Sequence, residues 1–228
     1  MAGRDRITRN LANVVSLLGV LPVCVLFLND GYRYVVPLIV YNNIMDDLDG
    51  IVAVKLDIKS AFGAALDNVC DVVAHTAFVF VVGMNHGWVC GVFALAAAAA
   101  MLIRVVSRIV PGATVGAGSP TNELIRHMFF VLLLAKLFSF DVEIVLVAVF
   151  AFHTVSMIVP YHMPGLIRGV TKSAFSIGLV NVALIAAWLI PYATPVVAVV
   201  FGSTYLYGLV IGALQWFKAE PPVQQHLV

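Results

Sequence analysis

The sequence predicts an all-α, polytopic bundle of membrane-spanning helices, about eight of them with six as the alternative, and three observations predict it. Hydrophobic residues make up 62% of the 228 and charged residues only 11%, where a soluble domain carries about a quarter charged. The apolar residues are gathered into eight runs of spanning length, since about 20 residues of helix cross a hydrocarbon core of roughly 30 Å. The basic residues fall unevenly between the two ends of those runs, as expected of an integral membrane chain. Residues 1–228 read as one membrane-embedded domain.

The runs follow in order. Residues 1–10 are polar, with Arg4, Arg6 and Arg9 ahead of a first run at about 11–28. That run is too long for a signal-peptide core, so no cleavable signal is expected. Its Asn13, Ser16 and Gly19 are the small and polar residues that spanning helices use for packing. Asn29, Asp30 and Gly31 make a turn. The second run, Tyr34 to Leu56, carries Asp46, Asp47 and Asp49 near its end, and Lys55, Asp57 and Lys59 form a polar link. The third, about 61–83, begins with Gly63, Asp67 and Asp71. The fourth, Trp88 to Ile103, is alanine-rich and closed by Arg104 and Arg108. A Gly- and Pro-dense loop is expected over 109–122. The fifth and sixth runs, about 123–140 and 143–160, are separated by Asp141 and Glu143. Pro160, Pro164 and Gly165 open a connector that ends with Arg168 and Lys172. The seventh and eighth, about 173–190 and 195–217, are hinged at Pro191 and Pro195. Cys24, Cys70 and Cys90 lie in apolar runs without metal-ligand spacing and read as small core residues. Tyr32, Tyr34, Trp88 and Trp216 read as interfacial anchors.

Eight runs with a cytoplasmic amino terminus put Arg4, Arg6, Arg9, Lys55, Lys59, Arg104, Arg108, Arg168, Lys172 and Lys218 on the cytoplasmic side and Arg33 alone on the other. Arg126 and Lys136 fall within the fifth run. The positive-inside rule therefore predicts both termini inside.

The same topology brings Asp46, Asp49, Asp67 and Asp71 to the cytoplasmic ends of two neighbouring helices. Asp46 and Asp49 share a helix face, as do Gly63, Asp67 and Asp71. Ionised carboxylates among apolar residues are costly unless paired or metal-bound, and by default they mark a site. Four acids with no cluster of His or Cys beside them suit a hard cation such as Mg2+ or Mn2+, acting on phosphate oxygens. His75 lies one turn beyond Asp71, and Arg126 and His127 stand near the start of the fifth run, where they either line a pocket or serve packing. Arg104 and Arg108 share a face and either grip a ligand's anionic group or anchor to headgroups. Asp47 reads as a solvated or hydrogen-bonded neighbour of the four acids, and His153 and Lys136 receive no role.

The stretch DDLDGIVAVKLDIKSAFGAALDNVCD resembles the signature of the CDP-alcohol phosphotransferases, DxxDGxxARx8GxxxDxxxD. Asp46, Asp49, Gly50, Ala53, Gly63, Asp67 and Asp71 all match at its spacing, while Val54 stands where the signature has Arg, with Lys55 next to it. Asn13, Ser16 and Gly19 resemble the family's looser opening pattern NxxTxxG. The resemblance implies an enzyme of the phospholipid-synthesising kind. Asp46, Asp49, Asp67 and Asp71 would surround a divalent metal site, Mg2+ or Mn2+ as a pair of ions. Asp71 would match the general base, and Gly50, Ala53 and Gly63 would let the nucleotide approach. Lys55, Arg104, Arg108 and Arg126 are the candidate phosphate or acceptor contacts.

The implied partners are a CDP-diacylglycerol-like lipid, a small hydroxyl acceptor and the membrane lipids, with no nucleic acid and a homodimer as one option. Within the family, SAFGAALDNVCDVV resembles phosphatidylserine synthases, which favours L-serine as acceptor. A glycerol-phosphate or inositol-phosphate acceptor is the alternative. A transporter or a non-catalytic membrane protein is the alternative of another class.

Overall fold

The structure, a computed structural model, describes residues 8, 10–110, 116–164 and 174–218. Among the described residues every regular element is helical. Helix α1 (Leu11–Val20) runs on as a 3-10 helix, Leu21–Phe27, and a second short 3-10 turn, Gly31–Tyr34, leads into α2 (Val35–Lys55). Then follow α3 (Ala61–Asn85), α4 (Trp88–Ile109), α5 (Thr121–Phe138), α6 (Val142–Ile158), α7 (Ala174–Leu189) and α8 (Ala193–Lys218). Each predicted run has a helix. Helices α3, α4 and α8 are long and apolar enough to cross a membrane, while Leu11–Phe27, α6 and Ile177–Leu189 are apolar but shorter. The remaining two carry charge within the helix: Asp46, Asp47 and Asp49 on α2, and Glu123, Arg126 and Lys136 on α5.

Local chemistry sets several boundaries. Pro22 falls in the first turn of the 3-10 segment, so the first run is a composite of two helix types rather than one α-helix. Ser60 caps α3 by accepting the Gly63 N–H at 2.9 Å, and Asp141 caps α6 through the Glu143 N–H at 2.9 Å. Pro195 lies inside the first turn of α8, where its missing N–H costs nothing, so the break between α7 and α8 sits at Pro191 and not at both prolines. Helix α4 continues past Ile103 to Ile109, so Arg104 and Arg108 belong to the helix.

The core lies where α3, α4, α5 and α6 meet. Phe78, Val79 and Val82 of α3, Ala94, Ala97 and Met101 of α4, Leu124, Met128 and Phe129 of α5, and Leu146, Phe150 and Met157 of α6 are all fully buried. Small residues make the approach close: a Cβ at Gly83 would collide with the Ala94 Cβ. Spanning helices associate by packing of this kind, since lipid supplies little hydrophobic drive between them.

Two expectations are corrected. Cys24 is exposed, so of the three cysteines only Cys70 and Cys90 belong to the interior. In a membrane an apolar residue can face lipid as readily as core. Tyr32 is no free interfacial anchor: its hydroxyl lies 2.6 Å from His86 Nε2 and ties the turn before α2 to the turn after α3. Burial pushes the Tyr32 hydroxyl up to about 12 and the His86 imidazole below its usual range. Tyr34, Trp88 and Trp216 are exposed as expected. Arg4, Arg6, Arg9, Gly165, Arg168 and Lys172 lie outside the described residues.

Candidate functional site

The acids come together at one end of the bundle. Asp46 and Asp49 project from the last turns of α2, three residues apart on one face, and Asp67 comes from the second turn of α3. One carboxylate oxygen from each lies within 4.8 Å of the other two. Asp49 is buried and the other two are half-buried. Among the described residues, the side chains that hydrogen-bond Asp46 and Asp49 are neutral. Asn122 Nδ2, at the start of α5, donates to Asp46 at 3.2 Å, and the Ser16 hydroxyl of α1 donates to Asp49. Three like charges this close repel by roughly 3 kcal/mol or more per pair at an effective dielectric of about 20. A donor set of carboxylate oxygens drawn from two helices fits a hard divalent cation, which would remove that repulsion. Asp71 stands one turn further along α3, half-buried and outside this close group.

Beside the acids opens a cavity of about 290 Å³ between α1, the end of α2 and the start of α3. Asp49, Asp67, Gly50, Ala53 and Gly63 line it, as do Asn13 and Ser16 of α1. A Cβ at Gly50 would meet open space, whereas one at Gly63 would lie 3.1 Å from both Asn13 Oδ1 and Ser60 Oγ. The three small residues thus face a single cavity. Val54 and Lys59 also line it; Lys55 does not.

On the other side of Asp46 a space of about 10 Å³, room for one water-sized sphere, is bounded by Asp46, His75, Asn122 and Arg126 among others. Arg126 is buried. It donates to Glu123 at 3.0 Å and to Asn43 Oδ1 at 3.2 Å, and its guanidinium carbon lies 5.5 Å from the centre of the Phe201 ring. Arg126 Nε and Glu123 Oε2 are buried with no hydrogen-bond partner among the described residues. Asn181 of α7 donates to Asp47 at 2.7 Å, and Asn43 donates to Asn181 at 2.8 Å. A polar network therefore joins α2, α5 and α7 next to the acids. His75 bonds Thr121 at 3.0 Å, so it both lines this space and is satisfied. His127 packs away from it, 2.9 Å from His153.

The other cations are placed differently. Arg104 is buried and donates to the carbonyls of Gly116 and Gly118, both at 2.8 Å, which braces the α4–α5 loop. Arg108 is exposed and reaches Asn68 Oδ1 at 2.9 Å, at the level of Asp67. Lys55 ends α2 and is exposed.

Spacing, clustered acids and an adjoining cavity find their counterpart in a family comparison: the model for CDP-alcohol phosphatidyltransferase matches residues 9–219. The chain belongs to the CDP-alcohol phosphatidyltransferase family. A CDP-alcohol phosphatidyltransferase is a membrane transferase of phospholipid biosynthesis that takes a CDP-alcohol lipid donor and an alcohol acceptor. No curated protein matches the chain. Sequence reasoning about this family member missed Asn122, Asn43, Asn181 and Glu123. Asn122, Glu123 and Asn181 lie far from the acids in the chain, and only folding brings them near; Asn43 is close in sequence but stands outside the signature's fixed positions. Ser16 carried a signal, the opening pattern that also holds Asn13 and Gly19.

Proposed function

We propose that this CDP-alcohol phosphatidyltransferase moves a phosphatidyl group from a CDP-diacylglycerol-like lipid to L-serine and releases CMP. The observation that carries the reading is the three-carboxylate group opening onto a cavity walled by Gly50, Ala53 and Gly63. The cavity would take the cytidine nucleotide, at the lower end of the size range of ligand sites. Asp46, Asp49 and Asp67 would hold the metal with Asp71 beside them. A bound Mg2+ or Mn2+ pair would neutralise the diphosphate and make CMP a better leaving group. The acceptor oxygen attacks the phosphatidyl phosphorus, the bond from phosphorus to the CMP oxygen breaks, and the acceptor's proton passes to Asp71.

Serine is favoured by the likeness of Ser60 to Asp71 to phosphatidylserine synthases and by the charges next to Asp46. Arg126 and Glu123 pair with each other at 3.0 Å and Asp47 accepts from Asn181, so a serine zwitterion would exchange its own carboxylate and ammonium for these contacts. That mixture suits a zwitterion. A glycerol-phosphate or inositol-phosphate acceptor is the second reading, and Arg108, exposed near Asp67, favours it; Arg104 is engaged with loop carbonyls. The test is CMP release by the purified chain from CDP-diacylglycerol with each acceptor in turn. Serine should support the fastest turnover; faster turnover with a phosphorylated polyol overturns the serine assignment, and no CMP with any of them favours a non-catalytic role.

The reading treats residues 1–228 as one unit with eight spans and with both termini and the acids on the cytoplasmic side. Cysteines placed at positions 2 and 226 should resist an impermeant thiol reagent in intact cells, and their labelling would contradict this topology.

A further inference from the structure

We infer that Lys59 is the cation that grips the donor's diphosphate in the cavity beside the acids, supplying the charge that Val54 lacks; this rests on reading that cavity as the cytidine-nucleotide site. Val54 is exposed on the cavity wall, apolar and branched at Cβ, and has no charge to offer an anion. Lys55, next in the chain, is not part of that wall. Among the described residues lining the cavity, Lys59 alone is basic.

The backbone explains how a residue five positions after Val54 returns to the same wall. Helix α2 ends in a closed double turn: the Asp57 N–H donates to the Val54 carbonyl at 3.3 Å and the Ile58 N–H to the Ala53 carbonyl at 3.1 Å. Asp57 sits in the left-handed region at φ 52°. This is the pattern of bonds that reverses a chain at a helix end. It folds Ile58 and Lys59 back beside Ala53 and Val54, and all four line the cavity. One residue later Ser60 caps α3. Lys59 is therefore held between a left-handed turn and a helix cap, and only its side chain is free to reach.

Among the described residues Lys59 forms no ion pair, and the charges facing it across the cavity are Asp49 and Asp67. The cation those two carboxylates would hold meets a nucleoside diphosphate from one direction only, which leaves its other oxygens to a second positive charge. An ammonium on a flexible stem is a mobile point charge that follows a phosphate, and a charge-assisted bond to it is among the stronger polar contacts. An exposed lysine at a helix link more often sits among anionic headgroups. That role would not depend on what stands at position 54 and would not affect the binding of a soluble nucleotide.

The test uses the purified full chain, with calorimetric titration of CDP in the presence of Mn2+. Lys59→Gln should weaken CDP binding about tenfold, near the lower end for losing one hydrogen bond to a charged group. Lys59→Arg should bind near wild type, and Lys136→Gln, at a lysine that lines a different cavity, should change nothing. Val54→Arg added to Lys59→Gln should restore most of the affinity. In turnover, Lys59→Gln should raise the KM for the CDP-lipid with kcat little changed. Melting temperatures should match, since Lys59 is exposed, and Lys59→Met gives the same comparison if Gln disturbs the fold. Wild-type affinity in Lys59→Gln, or no recovery with Val54→Arg, overturns the inference while leaving the cavity's assignment intact. A wild-type chain that binds no CDP overturns both.

Discussion

Asp49→Asn should reduce CMP release by about 10³-fold or more, and Asp46→Asn and Asp67→Asn should do the same. Each of these carboxylates places one oxygen within 4.8 Å of the other two, the arrangement expected of ligands sharing a cation. A metal acting on phosphate oxygens contributes several kcal/mol of charge stabilisation in the transition state, and each 1.36 kcal/mol is a factor of about ten in rate. Chelation by EDTA should abolish turnover in the wild-type chain, and Mn2+ or Mg2+ should restore it. Melting temperature separates this from simple damage to the fold. In the metal-free protein the neutral amide of the Asp49→Asn variant would relieve repulsion from Asp46 and Asp67, and its oxygen would still accept the Ser16 hydroxyl, so stability should hold or rise. The increase in melting temperature that a bound cation gives the wild type should be lost in the variant. Full activity in EDTA, or an unchanged cation-dependent rise in Asp49→Asn, would refute the metal assignment.

The helices and the acids were legible in the sequence for a simple reason. Apolar length and punctuation by Gly, Pro and charge are local properties, and the spacing of Asp46 to Asp49 fixes a shared helix face whatever lies around it. Partners were not legible. Asn122 reaches Asp46 across 76 positions and Asn181 reaches Asp47 across 134, distances over which only the packing of α5 and α7 against α2 decides who meets whom. Burial was also only half legible. Cys24 and Cys70 look alike in sequence, each within an apolar run, yet one faces outward and the other inward, because the bilayer removes the polar outer face that marks a soluble helix. Arg104 shows a third limit. A cation at the end of a run is expected at headgroups, and here α4 carries it inside the protein to bind two loop carbonyls. Val54 marks the place where the family pattern and this chain differ, and the turn that follows it was hidden until the left-handed Asp57 was seen.

Asp71→Asn should separate proton transfer from metal holding. Asp71 follows Asp67 by one turn of α3, so the two carboxylates share a face, but Asp71 lies outside the close group of three. A base must be near the reacting hydroxyl without having its oxygens committed to the cation, and that position suits it. A positioned general base contributes about 10²–10⁴-fold, so the variant should lose that much in kcat. Binding of the CDP-lipid should be almost unchanged, because the nucleotide cavity and the three clustered acids remain intact; the loss appears in kcat and kcat/KM alike. Asp67→Asn, only one turn away, should lose nucleotide affinity and turnover together. The comparison is therefore between neighbours on one helix face, and any general disturbance of α3 would affect both. Near wild-type turnover in Asp71→Asn would exclude it as the base, and loss of nucleotide binding as complete as in Asp67→Asn would make it a fourth ligand of the same site.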